Sequence, residues 1–136
     1  MVGVGVVVWH ADHVLLIRRG KPPREGQWSL PGGAQHLGET LAEAAERELM
    51  EETGLKAAIG EIIATLDLID RDDDGAVRHH YTLVDFTAEA SNAAVRAGDD
   101  AVDVRWFTRP ELAALDLWSE TLRIIDLAAA KRASNI

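Results

Sequence analysis

Cysteine is missing from all 136 positions of the chain. Disulfides, thiolate nucleophiles and zinc–thiolate centres are therefore excluded. No apolar run reaches the roughly 20 residues that a membrane-spanning helix needs. The densest run, VGVGVVVWH at the start, has no basic flank and no small-residue cleavage site. It reads as a buried strand rather than a targeting segment. Positive charge is the minority: 14 Lys and Arg face 23 Asp and Glu, a net charge of −9. Such a chain repels nucleic-acid backbones and anionic membranes, so neither is expected as a partner. It also repels a small polyanion unless bound cations reverse the local sign. Solubility alone is an equal explanation of the bulk acidity. A cysteine-free chain without a targeting segment is expected in the cytoplasm. Its length suits one domain, residues 1–136, large enough to bury a core without covalent staples.

Residues 2–9 and 14–17 are two apolar runs joined by a turn at Asp12-His13, which predicts a hairpin. RGKPPREGQ, residues 19–27, reads as a loop, and WSLPGG after it as irregular backbone open to close approach. Thr40 and Glu43 form a capping box for a helix running to Thr53, with Gly54 as its terminator. Residues 57–69 and 76–87 read as strands joined by RDDDG, 90–101 as a loop and 102–107 as a last strand. Arg109-Pro110-Glu111 opens a short helix, residues 117–130 form another, and KRASNI is a frayed tail. Strands and helices in this order predict an α/β fold, a mixed β-sheet with helices on both faces.

The stretch RELMEETGL, residues 47–55, places Glu48, Glu51 and Glu52 together near a helix C-terminus, where negative charge opposes the helix dipole. At about 100° per residue, Leu41, Ala44, Ala45 and Leu49 form the apolar stripe. Glu48 and Glu52 fall within it, Glu51 sits at its edge, and Glu43 and Glu46 point to solvent. Inward carboxylates need positive company. A divalent cation such as magnesium or manganese would supply it, and so would a salt bridge from Arg47 to Glu51. The glycine-rich PGGAQHLGET before the helix, with Glu39 at its entrance, favours a cation pocket suited to a pyrophosphate.

These residues carry a resemblance. Gly33, Glu39, Arg47-Glu48-Leu49, Glu51-Glu52 and Gly54-Leu55, nine positions across 23 residues, are similar to the complete Nudix box. WSLPGG and the RWF strand extend the likeness to nearly the whole chain. The resemblance implies a Nudix-type α/β/α sandwich that splits a nucleoside diphosphate linked to a group X. It implies Mg2+ (Mn2+ as the substitute) held by Glu48, Glu51 and Glu52 with the Gly33 carbonyl. It makes Arg47 the residue that orients a box glutamate, and puts Glu39 beside the site in support of the loop. Glu51 or Glu52 is the first choice for the base that activates water. Asp99, Asp100 and Asp103 lie where some relatives carry a loop acid, Asp100 being the candidate among them for substrate contact, but they read first as a solvated turn before a strand.

Among the remaining polar residues, Arg18, Arg19, Lys21 and Arg24 are either phosphate ligands or solvated loop charge. Trp28 is core or the wall of a base-binding cleft. Trp106 and Trp118 read as core, His79 and His80 as plain strand residues, and Tyr81 and Phe86 as facing opposite sides of one strand. The compact chain resembles small enzymes acting on nucleoside triphosphates. It lacks both the proline that many ADP-ribose hydrolases carry past the box and the SQPWPFPxS array of NADH-cleaving relatives. GQWSLPGG, HHYTLVDF and AGDD…VRWF resemble chains grouped with ADP-ribose pyrophosphatases. The leading expectation is a nucleoside triphosphate cleaved to monophosphate and pyrophosphate, with ADP-ribose or another ADP-sugar as the alternative. A non-catalytic nucleotide-sensing module is the third reading. The partner expected is a small nucleotide, and the chain a monomer or homodimer.

Overall fold

The computed structural model of the chain describes residues 1–22 and 24–134. Val2–His10 (β1) lies at the centre of a seven-stranded sheet. It pairs antiparallel with His13–Arg19 (β2) and Gly32–Ala34 (β4), and parallel with Val77–Glu89 (β6). Trp28–Ser29 (β3) and Ala101–Thr108 (β7) flank β2, and Ile59–Arg71 (β5) pairs with β6 at the far edge. A strand covered on both faces must be apolar at nearly every position, which is why VGVGVVVWH does not alternate.

Leu41–Thr53 (α1) covers one face of the sheet and Ser119–Ser134 (α2) the other. Under α1 lie Val4, Val6, Val8, Leu15, Val84, Phe86 and Ala88; on the α2 side lie Val7, Trp9, Val14, Leu16 and Phe107. The fold is thus the expected mixed sheet between helices.

The caps of α1 match the sequence reading. The Glu43 backbone N–H donates to Thr40 Oγ1 at 3.1 Å, and the Thr40 N–H donates to Glu43 Oε1 at 2.9 Å. Gly54 takes φ 71° and returns its N–H to the Met50 carbonyl. The C-terminal carbonyls of Glu52 and Thr53 are then satisfied by the N–H groups of Gly98 and Arg96. This last device was not legible in the sequence, because it joins segments some 45 residues apart.

Several boundaries differ from expectation. The first hairpin turns at Ala11-Asp12, with Ala11 at φ 52°, so His13 belongs to β2. WSLPGG is not wholly irregular: both its ends are recruited as short strands, β3 and β4, by neighbours with free ladder groups. The short helix is a 3-10 turn, Pro110–Ala114. The last helix starts at Ser119 and continues through Ser134, so Lys131 to Ser134 are not frayed. Arg132 explains this: it pairs with Glu89 and covers the Trp9 ring at 5.0 Å. The rest of the tail, residues 135 and 136, and Pro23 of the expected loop lie outside the described residues.

Candidate functional site

The helix α1 delivers its carboxylates as the 3.6-residue period requires. Glu48 is 9% exposed and Glu52 5%, while Glu43, Glu46 and Glu51 face solvent. Burial pushes the Glu48 carboxyl above its usual range, against the pull of Arg47. The same cause pushes Glu52 up to about 8, although the Gly32 N–H donates to its Oε1 at 2.7 Å.

Arg47 is the organiser of this corner. Its Nε and Nη2 donate to the two Glu39 oxygens at 2.6 and 3.0 Å. Its Nη1 reaches Glu48 at 2.9 Å and Glu51 at 3.2 Å, and its Nη2 also reaches the Ala34 carbonyl at 2.9 Å. Glu39 is held down to about 2 by that guanidinium and then by the His36 N–H. The salt bridge weighed against metal binding therefore exists, but it uses only part of the acid set. Among the described residues the hydrogen bond to Glu52 comes from the Gly32 N–H, and the Arg19 charge only partly offsets its burial.

The glycine loop fits against this cluster. A Cβ placed on Gly33 would lie 2.6 Å from the Glu48 carboxyl carbon, and one on Gly32 2.0 Å from the Val4 carbonyl oxygen. Backbone can approach the carboxylates this closely only without side chains. Among the described residues no three His, Asp or Glu side chains already converge as a metal cage. The donor set nevertheless suits a hard divalent cation: Glu48 and Glu52 are buried carboxyls beside an open glycine backbone, and burial disfavours the charge of both. Glu51, exposed and already touched by Arg47, completes the acidic rim.

The loop before β7 adds one more acid. Gly98 is seated against the end of α1, and the following residue, Asp99, takes φ 53°. Its charge acts on both Glu48 and Glu52. Asp100, the second of the three loop acids, is turned to Lys21, 2.8 Å away. Asp103 is occupied with the Val104 N–H and Arg105.

Beside the carboxylates opens a cleft of about 320 Å³ on the α2 side of the sheet. Arg19 and Trp28 line it, as do Tyr81, Leu83, Asp85 and Trp118. Trp28 is thus the cleft wall, braced edge-on by Phe107 at 5.1 Å. Trp118, expected in the core, is a second wall, with the Arg24 guanidinium 4.3 Å from its ring. Arg18 is not among the lining residues: it is exposed and donates to the Gly26 carbonyl. His79 and His80 pair with Asp70 and Asp67 on the β5–β6 hairpin, as plain strand residues do.

The sequence reading missed Asp85. It is 5% exposed, lies on the floor of the cleft, and is pushed up to about 6 by burial. The available signal was a lone acid inside the apolar run YTLVDF, one step out of phase with Val84 and Phe86.

A mixed sheet between two helices, with buried acids on a capped helix beside a glycine turn and an aromatic cleft, defines the class of protein. The pattern of the NUDIX domain matches residues 1–128, and the chain belongs to that family. It is 34% identical over 106 residues to an ADP-ribose pyrophosphatase of Methanocaldococcus jannaschii, covering 78% of this chain and 60% of that protein. It is 38% identical over 119 residues to a putative 8-oxo-dGTP diphosphatase 2 of Mycobacterium tuberculosis, covering 85% and 79%. Among solved structures, the NUDIX domain of Shewanella oneidensis NrtR complexed with ADP ribose superposes with a TM-score of 0.80. That pair is 27% identical, over 96% of this chain and 87% of the other. Among the described residues no helix is long and apolar enough to cross a membrane.

Proposed function

We propose that the protein hydrolyses the diphosphate of a nucleoside diphosphate linked to X, with an ADP-sugar such as ADP-ribose as the substrate. The observation that carries the reaction is the placement of buried Glu48 and Glu52 beside Gly33 at the rim of an aromatic-walled cleft. The similarity to an ADP-ribose pyrophosphatase and to a domain complexed with ADP ribose supports the ADP-sugar over the triphosphate favoured in the sequence. The triphosphate remains the second reading, supported by the similarity to the mycobacterial protein.

Glu48, Glu51 and Glu52, with the Gly33 carbonyl, would hold Mg2+ or Mn2+. When bound, the cation neutralises diphosphate charge and acidifies a coordinated water. The chain's own residues do the rest. Trp28 and Trp118 sandwich the planar part of the nucleotide, and Arg19 meets a phosphate at the cleft mouth. Water adds to one phosphorus, the bridging P–O bond breaks, and a carboxylate takes the water's proton. Glu52 suits that task by position, buried beside Glu48 with its Oε1 on the Gly32 N–H at the glycine turn. Arg47 holds Glu48 and the 32–39 loop in place by its forked donors.

Incubation with Mg2+ and a panel of ADP-ribose, nucleotide sugars, dNTPs and 8-oxo-dGTP tests this reading. AMP and ribose 5-phosphate should appear fastest. Faster release of pyrophosphate from a triphosphate would replace the ADP-sugar by the second reading. No turnover with either metal would end the hydrolase reading. Gly33→Ala tests the metal arm without turnover. Its methyl would displace the Glu48 carboxyl, so calorimetric titration should show Mg2+ binding weakened about 10- to 100-fold, with helix content unchanged.

A further inference from the structure

Asp85 has a position that the hydrolytic machinery does not explain. In the sheet register it stands opposite Gly5, on the central pair of parallel strands. Its neighbours Val84 and Phe86 turn to the α1 core, so Asp85 turns the other way, into the cleft under α2. A Cβ on Gly5 would lie 2.3 Å from Asp85 Oδ1. The glycine thus leaves the space that the carboxyl occupies. Among the described residues none is hydrogen-bonded to this side chain. The cation whose charge acts on it, Arg123, is exposed and bonded at 2.7 Å to Glu120 instead.

An acid so placed is costly to the fold. Burial disfavours its charged form, and no cation of the protein is bonded to it among the described residues to offset that cost. The fold could fill this site with Val or Leu, as it does at positions 83 and 84. A carboxyl without a protein hydrogen bond among the described residues, lining an apolar, aromatic-walled cleft, fits a ligand that brings its own donor. Flat walls take a planar ring, and a carboxyl oxygen takes an N–H.

We propose that Asp85 determines base specificity, its carboxyl oxygen accepting a hydrogen bond from the exocyclic amine of an amino-bearing nucleobase held between Trp28 and Trp118. The proposal rests on the nucleotide reading of the cleft and deepens it: for an ADP-sugar the base is adenine. Hypoxanthine, which carries an oxo group where adenine carries its amine, would set acceptor against acceptor. Uracil differs from cytosine in the same way.

The test separates base reading from hydrolysis. Binding of AMP and IMP, and of CMP and UMP, is measured by calorimetry in the presence of Mg2+, where no turnover is needed. Wild type should bind AMP about 10- to 100-fold more tightly than IMP, the range of a hydrogen bond to a charged or buried acceptor. Asp85→Val should lose that preference while keeping IMP affinity within about threefold, and its Tm should rise, because an unpaired buried acid has gone. Asp85→Asn should keep the preference, since its amide oxygen accepts the same bond. A preference for CMP over UMP alone would support amine reading with a pyrimidine as the base. Equal binding of amine and oxo partners by wild type would overturn the proposal. So would an equal loss of AMP and IMP by Asp85→Val, which would mark a sugar or structural role. A chain that passes this test yet hydrolyses nothing would refute the proposed reaction and leave the base-reading residue standing.

Discussion

Glu52→Gln should abolish nearly all hydrolysis and yet make the metal-free protein more stable. The loss in kcat is expected to be about 10²- to 10⁴-fold, the range for removing a general acid–base group. The stability gain follows from linkage. The folded-state pKa of Glu52 is raised to about 8 by burial, above its ordinary value of 4.5. Below pH 4.5 the group is protonated in both folded and unfolded chains and costs nothing. Between 4.5 and 8 the unfolded chain loses this proton while the folded chain keeps it. The folded state then binds more protons, so stability falls as pH rises through that window. Asp85, raised to about 6, adds the same trend at the lower end. In chelator, wild type should therefore lose stability from pH 5 to pH 8, and Glu52→Gln should lose less. By pH 8 the variant should be ahead by a few kcal/mol, on the scale of about 1.4 kcal/mol per pKa unit. The Gly32 N–H keeps an acceptor in the glutamine amide, so the loop is not released. Added Mg2+ should raise the Tm of wild type and move that of the variant less. Chemical denaturation at three pH values in EDTA measures this. A variant less stable than wild type in EDTA at pH 8 would mean that Glu52 supports the helix end rather than straining it.

Arg47→Ala should do the opposite. Its side chain is hydrogen-bonded to Glu39, Glu48 and Glu51, with the His36 ring 3.9 Å from Glu39 as a weaker partner of that acid, and it also satisfies the Ala34 carbonyl. Removing it leaves Glu48 buried beside Glu52 with no counter-charge, and leaves the loop carbonyl without its donor. A loss of about 2 kcal/mol is expected from the orphaned groups, or roughly 5–10 °C in Tm for a chain of this size. Activity should fall as well, because the loop bearing Gly33 is no longer tied to α1. Arg47→Lys should restore little: an ammonium cannot span Glu39, Glu48 and a carbonyl at once, as the planar fork does. Thermal melts with and without Mg2+ separate the two effects. If Mg2+ fully restored the Tm of Arg47→Ala, the guanidinium would be acting only as a charge. The contrast between the two variants, one acid whose loss stabilises and one cation whose loss destabilises, would support the proposed cation site on α1.

The helix itself was readable residue by residue. Thr40, Glu43 and Gly54 fixed its ends, because capping is local chemistry. The 3.6-residue period put Glu48 and Glu52 inside and Glu43 and Glu46 outside, and burial agrees. The N-terminal strand declared its central place by failing to alternate. Box spacing, together with these local rules, determined the family, the acid set and the partner type of Arg47.

Tertiary structure decided what joins distant segments. Asp100 is turned to Lys21 and the Asp99 charge acts on the box acids, because Gly98 docks on the end of α1 and a left-handed residue redirects the chain. Trp118 is a cleft wall rather than core, because α2 begins just after it, at the mouth of the cleft. Asp85 became a floor residue only when β1 brought Gly5 beside it in parallel register. Pairing across 80 residues is set by the whole sheet, and no local rule can anticipate it. The sequence therefore determined which carboxylates turn inward on α1, because helical period is local, and the packing of the sheet decided which residues line the cleft.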